Sequence, residues 1–109
     1  MYAMTGTLIA KAGKRGEFIE ILLQAAAVVG SLPGCHMYAV GEDSADETTT
    51  WVVEIWEDKN THDQSLQRED VRTLIAKAMP LMEGVPHGAE LRLVGGYGIL
   101  GIAASKPVG

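Results

Sequence analysis

The chain has a single cysteine, Cys35, among its 109 residues. One cysteine cannot form a disulfide within the chain, and it cannot assemble a cysteine-based metal site. His36, His62 and His87 share no spacing that is typical of a metal site, and no glycine-rich loop leads into a helix as nucleotide-binding loops do. We therefore expect no metal and no nucleotide, and a reducing compartment, the cytoplasm.

Positive charge is also scarce. Nine Lys and Arg stand against 14 Asp and Glu, which gives a net charge of −5. Nucleic acid and anionic membranes require clustered cations, so we expect neither as a partner. No apolar run approaches the roughly 20 residues of a membrane helix, and Lys11, Lys14 and Arg15 follow the apolar start, the wrong order for a signal peptide. Small molecules and proteins remain as partners.

The balance of hydrophobic and charged residues indicates one globular domain. Hydrophobic residues make up 47% of the chain and charged residues 21%. A chain of this length removes roughly 65% of its unfolded surface from water, which is enough for a single core. We place the domain at residues 1–96 and a C-terminal tail at 97–109. The tail carries Ile99, Leu100 and Ile102 among glycines, and we expect it to cross a partner chain as an extra strand.

Residue periodicity predicts four strands and two helical regions. Runs rich in β-branched and aromatic residues predict strands at 2–11, 35–41, 48–56 and a half-buried one at 87–94. Helical spacing predicts a helix at 14–29 and a second region at 59–67 that resumes near Glu69. Asp58 is placed to cap the second region, and Pro80 to kink or end it. The acidic turn at 42–47 makes its two neighbouring strands an antiparallel hairpin.

The resulting order, βαββαβ, predicts an α+β, ferredoxin-like fold. In this arrangement two helices cover one face of a four-stranded antiparallel sheet and leave the other face bare. The predicted strands carry apolar residues on both faces, among them Trp51, Val53 and Leu91. An exposed apolar face of several hundred Å² is unusual for a soluble monomer. We therefore expect a homodimer that packs sheet against sheet.

One segment resembles a known family. The motif is EIWEDK at 54–59, then His62, Ser65 and Leu66, followed by Val71, Leu74 and Ile75. It is similar to the signature of the antibiotic biosynthesis monooxygenase (ABM) family, which includes quinol monooxygenase-like members. The resemblance spans about residues 4–94 and implies a dimeric α+β barrel. It also implies that O₂ oxidises an electron-rich phenol or quinol without metal, flavin or other cofactor.

The resemblance suggests which residues would act. Such chemistry needs an aromatic wall, one base and an apolar pocket. Trp56 is the candidate wall and His62 the candidate base, with His36 and Tyr38 as further residues that bind the substrate. Each has a simpler interpretation. Trp56 is equally explained as a core-filling aromatic, His62 as a solvated helix residue and His36 as a structural histidine.

Glu54 is the exception in an otherwise apolar strand, and we include it among the substrate-binding candidates. A carboxylate there should be paired with Arg92 or Arg72, or its pKa should be raised by burial. Both alternatives remain open at this point. Either arrangement would mark Glu54 as a group worth testing.

Two departures limit how far the family's chemistry carries over. Many relatives have a histidine where this chain has Ser65. The haem-degrading branch pairs its tryptophan with an asparagine on the first strand, whereas the asparagine of this chain is Asn60, which argues against haem degradation. The alternative to an enzyme is a non-catalytic dimeric module of the same fold that binds a small ligand or serves a structural role.

Overall fold

The computed structural model describes residues 1–98, and within them four β-strands and three α-helices follow one another. Their bounds are β1 Tyr2–Ile9, α1 Arg15–Val29, β2 Cys35–Glu42, β3 Thr49–Trp56, α2 Lys59–Ser65, α3 Glu69–Ala78 and β4 His87–Arg92. The predicted α+β ferredoxin-like fold is confirmed, with its second helical region divided into α2 and α3. The predicted tail strand near 99–102 lies outside the described residues.

The sheet is antiparallel and has the strand order β2-β3-β1-β4. The predicted hairpin of β2 and β3 is confirmed, and β1 lies between β3 and β4. Met4 is the cross-strand partner of Glu54, which in turn faces Tyr38 on β2. Cross-strand partners point to the same face of a sheet. These three side chains therefore form a row on one face.

Helices α1 and α3 cover that face. Their apolar stripes contact β1 and β3 in two clusters. One cluster contains Ala10, Phe18, Leu22, Val52 and Ala78, and the other contains Tyr2, Val29, Trp56 and Val71. Most of the core thus lies between the helices and the two central strands, while the edge strand β4 has no helix over it.

Local signals determine where the helices begin and end. The Asp58 side chain caps α2 by accepting a hydrogen bond from the Thr61 backbone N–H at 2.7 Å, as predicted. Helix α3 ends at Ala78, and the following 3₁₀ turn, Met79–Leu81, contains Pro80. Proline ends the α-helix because it lacks the N–H that the next turn requires.

Within residues 1–98, no helix covers the opposite face of the sheet, where Met1 and Leu93 pack only against Ala3 and Ile55. Ile9, Met37, Trp51 and Leu91 on this face are 38%, 38%, 43% and 48% exposed. The prediction that β4 is half-buried is wrong, because every residue of His87–Arg92 is exposed. β4 is an edge strand that neither a helix nor a second layer covers in the single chain.

Candidate active site

An apolar cavity of about 260 Å³ lies between the sheet and the helices. Its apolar lining includes Leu8, Phe18, Ile21, Leu22, Ala25, Val29, Val71, Leu74, Ala78 and Met82. Among the described residues, the polar side chains that line it are Tyr38, Glu54 and Ser65. Small-ligand sites are typically apolar with a few convergent polar groups, and this cavity has that composition.

A second, neighbouring cavity of about 370 Å³ extends toward β4. It shares Tyr38 and Glu54 with the first cavity and is bounded by Gly6 and Gly88, which face each other in the strand register. A Cβ atom on Gly88 would lie 2.5 Å from the Thr5 carbonyl oxygen, so this close approach requires glycine. Tyr38 and Glu54 therefore stand where the two cavities meet.

Glu54 is a nearly buried carboxyl group, since its side chain is only 13% exposed. Its Oε1 accepts a hydrogen bond from Trp56 Nε1 at 3.0 Å and lies 3.8 Å from His62 Nε2. Burial raises the pKa of Glu54, while the Trp56 hydrogen bond and His62 act in the opposite direction. Of the two alternatives from the sequence, burial is confirmed. Pairing with Arg92 or Arg72 is wrong, and the register instead places Arg92 opposite Tyr2.

Trp56 lies behind Glu54. Its side chain is fully buried in the cluster with Tyr2 and Val29, and it does not line the apolar cavity. The indole ring contacts His62 edge-on, with 5.7 Å between ring centroids. Trp56 is connected to the cavity through Glu54, its hydrogen-bond partner, and through Val29 and Val71, which share its cluster and line the cavity. The predicted aromatic wall against a substrate stays a prediction, and the packing itself is that of a core residue.

His62 is also buried, at 5% exposure, so the interpretation as a solvated helix residue is wrong. The capped start of α2 turns His62 and Ser65, three residues later, toward the sheet. The Nδ1 atom of His62 lies 2.9 Å from Asp63 Oδ1, and its ring centroid lies 5.3 Å from that of Tyr2. His62 reaches the cavity through Glu54 rather than directly.

Tyr38 lines both cavities beside Glu54. Burial, and then the charge of Glu54, raise the pKa of Tyr38 well above its ordinary value. Its phenol therefore stays protonated and able to donate a hydrogen bond.

His36 does not line either cavity. It lies at a β-bulge in β2, exposed, with Nε2 2.7 Å from Glu57 Oε2.

Sequence analysis missed the contact between Asp63 and His62 and the second cavity. Asp63 follows His62 directly in the chain, which was the available signal, but adjacent helix residues rarely bond to one another.

Among residues 1–98 there is no group of three His, Cys, Asp or Glu side chains that could hold a metal ion. No helix in the same part of the chain has the length and apolar character to span a membrane.

The βαββαβ order and the antiparallel four-stranded sheet define a ferredoxin-like α+β protein, and an apolar cavity lies between its sheet and helices. Residues 1–77 match the family described as antibiotic biosynthesis monooxygenase, and the chain belongs to that family. No curated protein matches the chain.

Solved structures of similar proteins agree with this assignment. A candidate antibiotic biosynthesis monooxygenase from Chloroflexus aurantiacus J-10-fl is 35% identical, with a TM-score of 0.82 over 90% of this chain and 97% of its own. One from Caulobacter crescentus CB15 is 24% identical, with a TM-score of 0.79 over 85% of this chain and 89% of its own. SnoaB of Streptomyces nogalater, a cofactor-independent oxygenase, is 12% identical. Its TM-score is 0.75, over 85% of this chain and 92% of its own. The last two similarities show the fold alone.

Proposed function

We propose that the protein is a cofactor-independent monooxygenase that oxidises a small electron-rich aromatic, a quinol or phenol, with O₂. The observation that carries the proposal is the buried Glu54 carboxyl group, which faces an apolar cavity beside Tyr38. Family membership supports a monooxygenase-type activity. SnoaB, which shares the fold, is described as a cofactor-independent oxygenase.

The proposed reaction needs little from the protein. A deprotonated quinol is electron-rich enough to donate an electron to O₂ without a metal or flavin. A hydroquinone and O₂ then give a hydroxyquinone and water, with one oxygen atom bonded to a ring carbon and the other reduced to water. The protein has to orient the substrate, accept a proton and exclude bulk water.

Glu54 is the proton acceptor in this proposal. An ordinary carboxylate is a weak base toward a phenol, whose pKa lies near 10. Burial raises the pKa of Glu54 and so reduces the difference between its pKa and that of the phenol. An acid or base whose pKa approaches the working pH is the more effective catalyst. Glu54 also lines the cavity, whereas His62 lies behind it.

The neighbouring residues have supporting roles. Tyr38 stays protonated and would donate a hydrogen bond to the phenolate oxygen that forms. Trp56 holds Oε1 of Glu54 through its indole N–H and so fixes the carboxyl group beside the cavity. Trp56 and His62, the catalytic candidates from the sequence, would therefore act through Glu54.

The proposed assembly is a homodimer. The uncovered sheet face presents Trp51, Val53 and Leu91 to solvent in the single chain. Burying such an apolar face against a second copy is favourable at about 25 cal/mol per Å². We propose the cytoplasm as the compartment, because the free thiol of Cys35 is kept reduced there.

The test is O₂ uptake with a panel of hydroquinones, naphthohydroquinones and simple phenols. We expect uptake and a hydroxylated product with the wild type, after subtraction of autoxidation without protein. Glu54→Gln should reduce turnover by about 100-fold or more, since it removes the base but keeps an oxygen to accept the Trp56 hydrogen bond. Tyr38→Phe should reduce turnover less.

Glu57→Gln is the matched control. Glu57 lies three residues from Glu54, is exposed, and bonds to His36 outside the cavity. Its turnover should stay close to that of the wild type. Ligand binding without any O₂ uptake across the panel would reject the proposal and favour a non-catalytic binding module.

A further inference from the structure

His62 connects the cavity wall to the protein surface. Its Nε2 atom lies 3.8 Å from Glu54 Oε1, and its Nδ1 atom lies 2.9 Å from Asp63 Oδ1. The side chains of Glu54 and His62 are 13% and 6% exposed, whereas that of Asp63 is 48% exposed. The imidazole thus has a buried carboxyl group on one side and a solvent-accessible carboxylate on the other.

The contact with Asp63 determines which nitrogen of His62 carries the proton. The hydrogen bond with His62, followed by that from Lys59, lowers the pKa of Asp63, so Asp63 is ionised near neutral pH. An ionised carboxylate only accepts hydrogen bonds. The neutral imidazole therefore donates from Nδ1 and presents the lone pair of Nε2 toward Glu54.

The surroundings hold the ring in this orientation. Tyr2 and Trp56 contact it with centroid distances of 5.3 and 5.7 Å. Lys59 bonds to Asp63 and to Glu90 on β4, at 3.2 Å in each case. The charged groups that contact the His62 ring are therefore the carboxyl groups of Glu54 and Asp63.

We propose that His62, held by Asp63, stores the proton that Glu54 removes from the substrate and returns it when the O–O bond breaks. This inference rests on the proposed function and specifies the proton path of the same site. Asp63 is a positioning residue in it, since it reaches the substrate only through His62 and Glu54.

The proton balance of the reaction requires such a store. Glu54 takes the phenolic proton and passes it to His62 Nε2, while O₂ forms a bond to a ring carbon and becomes a peroxy group. The O–O bond then breaks, and the outer oxygen leaves as water with the stored proton and a second hydrogen from the substrate. The ring becomes a hydroxyquinone, and Glu54 and His62 return to their starting protonation states.

Without the stored proton, a different product is expected. The peroxy group then leaves whole, and the hydroquinone is oxidised only to its quinone while O₂ is reduced to hydrogen peroxide. This side reaction also balances in atoms and electrons. The ratio of hydrogen peroxide to hydroxyquinone therefore reports whether the proton is delivered.

The experiment compares Asp63→Asn with the wild type, using the hydroquinone that gives the fastest O₂ uptake. Asp63 is half exposed, so the substitution should not prevent folding. We expect the ratio of hydrogen peroxide to hydroxyquinone to rise about tenfold or more and kcat for the hydroxyquinone to fall, with KM unchanged. Asp63→Glu, which retains a carboxylate, should restore most of the coupling.

Asp70→Asn is the control, because Asp70 is an exposed carboxylate on α3 that bonds to Arg68. It should show the product ratio of the wild type. If Asp63→Asn also retains that ratio while Glu54→Gln is inactive, the proton store is rejected and the proposed function stands. If the wild type takes up no O₂, both fall together.

Discussion

The two faces of the sheet are both apolar, yet they differ in what covers them. The face toward the helices holds Trp56, which is fully buried, and the open face holds Trp51, which is 43% exposed. Both residues lie on β3, an odd number of positions apart, so the strand pleat sends them to opposite faces. Two tryptophans on one strand therefore have different environments, because the helices cover only one face.

The same contrast applies to polar groups. On the covered face, Glu54 is enclosed by Trp56 and His62, and burial raises its pKa. On the open face, Trp51 Nε1 donates to Asp43 Oδ2 at 2.9 Å, and hydrogen bonds from Trp51 and the backbone lower the pKa of Asp43. Each tryptophan donates to a carboxylate, but only the enclosed carboxylate is made more basic.

Replacing the two tryptophans should give the largest difference between the faces. Trp56→Ala removes a fully buried ring and leaves Glu54 without its hydrogen-bond donor, so we expect a loss of about 3–5 kcal/mol in the free energy of unfolding. Trp51→Ala should cost about 1 kcal/mol or less in the folded monomer. Urea denaturation at matched low protein concentration measures both. Equal losses for the two variants would contradict the assignment of the core to the helix-covered face.

A charge on the open face tests whether a second copy covers it. Val53 lies on the central strand β3 of that face, so Val53→Lys should convert a dimer into a folded monomer. The buried lysine would otherwise face apolar surface without a partner. Sedimentation velocity at micromolar concentration gives the oligomeric state, and circular dichroism checks the fold.

Gln24→Lys adds the same charge on the solvent-exposed side of α1 and should leave the dimer intact. A wild-type protein that sediments as a monomer would refute the proposed sheet-to-sheet dimer. A dimeric Val53→Lys variant would place the interface elsewhere.

A smaller effect is expected from the pH dependence of stability. Because burial raises the pKa of Glu54 above 4.5, the folded state resists its ionisation more than the unfolded state does. The cost is absent below pH 4.5 and grows as pH rises toward the folded pKa. Glu54→Gln should therefore gain stability relative to the wild type as pH rises above 4.5 toward the folded pKa of Glu54.

Glu20→Gln on the exposed side of α1 is the comparison for this pH series. Its difference from the wild type should stay nearly constant, because a solvated carboxylate has no burial cost in the folded state. Thermal unfolding of all three proteins across the pH series gives the curves. A constant difference for Glu54→Gln as well would mean that Glu54 is solvated.

The candidate site was only partly predictable from the sequence. The sequence predicted Glu54 as a candidate because a carboxylate interrupts an apolar strand. It predicted Trp56 because this residue ends the same strand. The sequence did not reveal that these two residues bond to each other. It placed His36 among the substrate-binding residues, although a β-bulge sends His36 to the exposed edge beside Glu57. A bulge depends on the pairing of two strands, and no local pattern in β2 encodes it.

The sequence by itself determined the order of the elements, the cap at Asp58, the end of α3 before Pro80 and the two apolar sides of the sheet. These features follow from local backbone chemistry and from residue periodicity, which neighbouring residues specify. Only the tertiary structure decided that His62 is buried, that Glu54 faces a cavity, and that His62 Nε2 lies 3.8 Å from Glu54 Oε1. Such properties depend on contacts between elements distant in the chain, and those contacts set the desolvation and hydrogen bonding of each group.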